Sequence, residues 1–97
     1  MSEVTKLVLD IKERLLKDLP IFLKLEQNKK YFLGEKIDSY CSIALEQLVG
    51  KVQLTSNFSI FINVLYSCQQ LDEFGEQWAP TKEKIEEWIV FLKKFKI

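Results

Sequence analysis

The sequence predicts an all-α fold, a single-domain bundle of four to five helices spanning residues 1–97. Three observations support this. Apolar residues recur at i, i+3, i+4 and i+7 in several segments, the spacing of a helix with one buried face. Gly (3) and Pro (2) are scarce, whereas strand-and-turn proteins need more of both. A stretch from Val52 to Leu71 contains no charged residue and marks a helix for the interior. A chain of 97 residues fits one domain, one that buries roughly 60–68% of its unfolded surface. With 47% hydrophobic and 29% charged residues the composition is that of a globular protein.

The first helix is expected from a cap at Ser2 to about Asp18. Val4, Leu7, Val8, Ile11 and Leu15 form its core face, while Leu9 and Leu16 make a thin second stripe. Pro20 lacks an N–H and disfavours helical geometry at Leu19, so it should end or sharply bend the helix. Residues 21–33 read as a short helix (Ile21 to Leu25), a solvated loop (Glu26 to Lys30) and an apolar re-entry (Tyr31 to Leu33). Gly34 is a candidate helix stop. A firmer helix is expected over Ile37 to Val49, with Ile37, Tyr40, Cys41, Ala44, Leu45 and Leu48 buried and Gly50 at the C′ position.

The uncharged segment should be capped by Thr55, Ser56 or Asn57 and run to about Phe74, with Gly75 as its stop. Between Phe58 and Tyr66 seven of nine residues are large and apolar, and only Ser59 and Asn63 interrupt them. On a 100° wheel they cover about two thirds of the circumference, so this helix is expected to be buried nearly all round, by its own chain or by another. The last helix opens near Ala79-Pro80-Thr81. It buries Ile85, Trp88, Ile89, Leu92 and Phe95, and turns Val90 and Ile97 away from the core, with Phe91 at the margin.

The charge balance narrows function. Fourteen Lys plus Arg offset fourteen Asp plus Glu, and Arg14 is the only arginine. Nucleic-acid surfaces rely on net positive charge and arginine forks, so no nucleic acid is expected as a partner. The longest nearly apolar run is far short of the ~20 residues a membrane span needs, and the N-terminus has no signal-peptide layout. No membrane partner and a cytoplasmic location are therefore expected. Charge is unevenly distributed. Residues 52–87 hold two lysines against six acids, and residues 88–97 hold three lysines and no acid. The acids Asp72, Glu73, Glu76, Glu83, Glu86 and Glu87 form either a solvated helix junction or a docking patch for a basic partner.

Enzyme chemistry and metal binding are not expected. The chain contains no His, the most common acid–base side chain, and adjacent carboxylates such as Glu86/Glu87 diverge by about 100° on a helix. Cys41 and Cys68 lie at apolar helix positions and read as reduced core thiols, two being too few for a closed zinc site. A disulfide between them requires neighbouring helices. No cofactor is expected from this inventory.

The segment Leu33-Gly34-Glu35-Lys36-Ile37-Asp38-Ser39-Tyr40, followed by Ile43 and Leu45, resembles the modification site of acyl and peptidyl carrier proteins, which are small four-helix bundles. Two extra residues separate Gly34 from Ile37. The resemblance implies a phosphopantetheine arm on Ser39 at the start of a helix. The competing reading is that Asp38 or Ser39 simply caps that helix.

Apolar surplus supports a different function. Leu9 and Leu16, the run from Phe58 to Tyr66, and Val90, Phe91 and Ile97 exceed what a small bundle interior absorbs, and exposed apolar patches mark interaction sites. The expected function is a non-enzymatic protein–protein interaction module of the adaptor, immunity, inhibitor or chaperone kind, self-associating as a homodimer. Trp88, Phe91 and Phe61 are the bulky candidates for anchors, with ordinary core packing the competing role for Phe61 and Trp88, and Phe58 is a further candidate interface residue. A small apolar ligand held between helices is a third reading.

Overall fold

The amphipathic spacing resolves into four α-helices and one short 3-10 turn in the computed structural model, which describes residues 3–51, 56–73 and 79–96. In chain order these are α1 (Glu3–Lys24), α2 (Gln27–Leu48), α3 (Ser56–Cys68), a 3-10 turn (Leu71–Glu73) and α4 (Lys82–Lys94). Among the described residues every regular element is helical, so the fold is an all-α bundle of four helices. The expected caps at Ser2 and Thr55, the stop at Gly75 and the outward Ile97 lie outside the described residues.

The first helix does not end at Pro20 but continues a turn further to Lys24. Inside the helix Pro20 loses its own hydrogen bond and crowds the Leu16 carbonyl, but tertiary contacts hold the turn that follows. Phe22 is fully buried and Leu23 packs on the core. The α1 C-terminus is then capped from α2. The buried Lys30 ammonium donates to the Leu23 carbonyl at 3.5 Å and to the Leu25 carbonyl, and lies 5.6 Å above the Phe22 ring. A cation there satisfies orphan carbonyls and opposes the negative end of the helix dipole.

The polar run Glu26 to Lys30 is not a loop, because α2 starts at Gln27 and continues without interruption to Leu48. Gly34 is not a stop either: it is buried inside α2. The reason is a close approach from elsewhere in the chain. A Cβ on Gly34 would lie 2.7 Å from the Leu71 C and O atoms and from the Asp72 N atom, so the absent side chain lets the 3-10 turn rest directly on α2. Asp38 and Ser39 likewise lie within α2 and cap no helix.

At its far end α2 finishes as expected, with Val49 at the C-cap and Gly50 at φ +83°. α4 begins with Thr81 Oγ1 accepting from the Lys84 backbone N–H at 3.2 Å. Its C-cap carbonyl, Phe95 O, accepts from the Lys12 ammonium of α1 at 2.6 Å.

α2 is the helix around which the bundle forms, packing against α1, α3 and the 3-10 turn, while α4 lies along α1. The single core combines Val8, Ile11, Leu15, Leu19 and Phe22 of α1 with Ile37, Cys41, Ala44 and Leu48 of α2, Phe61 and Leu65 of α3, and Ile85 and Leu92 of α4. Phe95 joins α3 to α4, stacked on Phe61 at a centroid distance of 4.8 Å and edge-on to Phe58 at 5.8 Å. Across α1 and α2 one buried acid is fully engaged: Asp18 accepts from the Tyr40 hydroxyl at 3.1 Å and pairs with Lys36 at 3.8 Å. Burial, then the Asp18 charge, raises the Tyr40 hydroxyl pKa far above its ordinary value.

Candidate protein-binding face

The uncharged helix is neither central nor buried all round, and it ends at Cys68 rather than near Phe74. Phe61, Ile62, Val64, Leu65 and Cys68 face the core, but the opposite arc, with Ile60, Asn63 and Tyr66, meets solvent. Sequence alone could not show this, because an arc free of charge is consistent both with burial and with a surface reserved for another molecule.

That exposed arc of α3 forms one wall of a groove. Ile60, Asn63, Val64 and Ser67 of α3 face Lys84, Glu87, Trp88 and Phe91 of α4 across about 330 Å³. Each helix contributes residues at i, i+3, i+4 and i+7, so the groove follows both helices over two turns. Val64 and Trp88 form a buried apolar floor. Ile60 is 46% exposed on the rim, and Lys84 and Glu87 pair at 3.5 Å along the other edge. An apolar, aromatic floor with a polar rim is the anatomy of a protein interface. Beside it, sharing Glu87, a second concavity of about 340 Å³ is lined by Glu83, Glu86, Glu87 and Val90. Val90 faces outward at 52% exposure, and Phe91 packs partly on the core, as the sequence spacing implied.

The remaining candidates are dispersed. Phe61 is fully buried, Trp88 nearly so, and Phe58 and Leu16 pack on the core as half-buried residues; Leu9 is half-buried on α1. The acidic residues divide into two groups. Glu83, Glu86 and Glu87 stay together on α4. Asp72 and Glu73 sit on the 3-10 turn, where burial, then Asp38 and Glu73, raise the Asp72 carboxyl pKa. Glu76 lies outside the described residues.

Ser39 is exposed but lies more than three turns into α2, which begins at Gln27, whereas the carrier-protein motif sits at a helix start. Asp38 accepts a hydrogen bond from the Ser42 hydroxyl at 3.1 Å. Cys41 and Cys68 meet in the core as free thiols. The hydrogen bond between them, then burial, holds the Cys68 thiol pKa well above its usual range. Among the described residues no group of three or more His, Cys, Asp or Glu could hold a metal ion, and no helix is long and apolar enough to cross a membrane.

Sequence reasoning missed the outer face of α2. Phe32 is 71% exposed, and Ile43 is also exposed. Once α2 is read as one continuous helix, the pair falls eleven residues apart on the arc opposite Ile37, Cys41 and Ala44. The apparent break at Gly34 hid that register.

No protein-family model matches the chain, and neither does any curated protein or solved structure.

Proposed function

We propose that this chain is a non-enzymatic protein–protein interaction module that docks its partner on the α3–α4 face. The observation behind this is the continuous groove that joins exposed Ile60 to the aromatic floor at Trp88 and Phe91, with exposed Val90 beside it. Trp and other large aromatics in a preformed concavity are what interface hot spots are made of. The acids support a binding role over catalysis. Glu83, Glu86 and Glu87 are exposed, and buried Asp18 is committed to Tyr40 and Lys36. Two free core thiols suit a reducing compartment, and we place the protein in the cytoplasm.

The test is photo-crosslinking in cells from a reactive amino acid placed singly at Ile60, Val90, Glu13 or Lys29, all exposed positions. Defined-mass adducts from positions 60 and 90, and none from 13 and 29, are the expected result. Equal adducts from all four positions, or none from 60 and 90, would overturn the proposal.

A further inference from the structure

The outward face of α4 has a charge order that a generic docking surface does not require. On a 100° wheel, Glu83, Glu86, Glu87, Val90, Lys93 and Lys94 all fall within about 120° of arc, opposite the buried Ile85, Trp88 and Leu92. The N-terminal half of that arc is entirely acidic, the C-terminal half is entirely basic, and exposed Val90 lies between them. Among the described residues Lys93 and Lys94 have no acid within salt-bridge range, while Glu86 and Glu87 make only water-facing pairs with Lys82 at 3.9 Å and Lys84 at 3.5 Å.

We propose that the occupant of this face is a second copy of the chain, its α4 packed antiparallel to the first across a two-fold axis at Val90. This rests on the docking role proposed above and names the partner. A two-fold at position 90 sets residue 86 beside residue 93 of the other copy and 87 beside 94, each pair on the same side of the contact and about one turn from the axis. Four Glu–Lys pairs then form around a Val90–Val90 contact. A parallel arrangement sets Glu against Glu and Lys against Lys. A foreign basic helix satisfies the glutamates but leaves Lys93 and Lys94 without partners, whereas the chain's own antiparallel copy uses both halves of the face. α4 has 13 residues and is roughly 20 Å long, so the contact is small and the dimer weak and concentration-dependent.

The test is sedimentation equilibrium of the full chain up to about 1 mM, with circular dichroism confirming the fold of each variant. Wild type should dimerise and dissociate as ionic strength rises. E86K/E87K makes the arc basic from residue 86 onward, and K93E/K94E makes it wholly acidic. Each alone should dimerise at least about tenfold more weakly, from the loss and reversal of four surface pairs. An equimolar mixture of the two should form a one-to-one heterodimer in native mass spectra, because every cross-axis pair is again opposite in sign. The quadruple variant E86K/E87K/K93E/K94E should regain homodimerisation. If a reversal variant fails to fold, K93Q/K94Q replaces it, with weaker dimerisation expected and unchanged dimerisation counting against the proposal. A monomeric wild type across the range, or a mixture that does not pair, overturns the homodimer. If positions 60 and 90 still crosslink to another protein, only the identity of the partner fails; if they crosslink to nothing, the docking role fails as well.

Discussion

Replacing Gly34 with alanine sets two effects of opposite sign against each other, and the structure decides between them. Within a helix, Gly to Ala contributes roughly 1 kcal/mol of stability through backbone entropy. The new Cβ, however, would meet three backbone atoms of Leu71 and Asp72 at 2.7 Å, and backbone cannot rotate aside as a side-chain tip can. The 3-10 turn must lift, and with it Leu71, which is fully buried. Exposing a leucine side chain costs about 1.5–3 kcal/mol. The net expectation for Gly34→Ala is therefore a destabilisation of about 0.5–2 kcal/mol, read from urea unfolding midpoints at constant slope. Gly50→Ala is the control with a different cause. Nothing lies within 4 Å of its Cβ, so a loss of about 1–2 kcal/mol would come only from its left-handed backbone. If Gly34→Ala is neutral or stabilising, the 3-10 turn is not seated on α2 and the packing described for that end of the bundle is wrong.

Tyr40→Phe removes the hydroxyl that donates to buried Asp18 and should cost about 1.5–3 kcal/mol in the same assay, the range for hydrogen bonds to charged groups. Lys30→Met keeps the aliphatic stem but leaves the Leu23 and Leu25 carbonyls without their ammonium donor. It should destabilise by about 1–2 kcal/mol, with hydrogen exchange faster first in the last turn of α1. The raised pKa values of Cys68 and Tyr40 predict the high-pH limb of stability. The folded state holds these protons longer than the unfolded chain does, so their contribution is complete below the unfolded values of about 8.5 and 10 and is lost as pH rises beyond them. Unfolding midpoints should be flat with respect to these groups near pH 7 and fall above about pH 8.5. Cys68→Ala should flatten the earlier part of that fall.

The parts of the fold legible in the sequence depend on local pattern. α4 is the clearest case. Ile85, Trp88, Leu92 and Phe95 repeat at helical spacing behind a Pro80-Thr81 start, and the structure buries each of them. The C′ glycine at position 50 was legible for the same reason. What escaped depends on partners distant in sequence. Helix continuation through Pro20 is supported by Lys30 and by burial of Phe22, and the role of Gly34 exists only because Leu71 lies against it. Both features mark helix ends in isolation and helix interiors in context. At the candidate site, Val90 and Phe91 were legible as off-face residues, whereas the aromatics chosen for their size, Phe61 and Trp88, went largely to the core. Ile60 could not be singled out from an apolar run whose exposed side is set by how α3 packs on α2, a contact distant in sequence.

The central claim is that the α3–α4 face, and not the outer face of α2 with its exposed Phe32, is where this chain meets a partner copy. Amide chemical shifts followed by NMR from dilute to millimolar protein test it most directly. The account predicts concentration-dependent shifts centred on the α4 arc from Glu83 to Lys94 about Val90, with α2 residues Phe32 to Ile43 unchanged. Shifts centred on Phe32 and Ile43, or a spectrum independent of concentration, would contradict it.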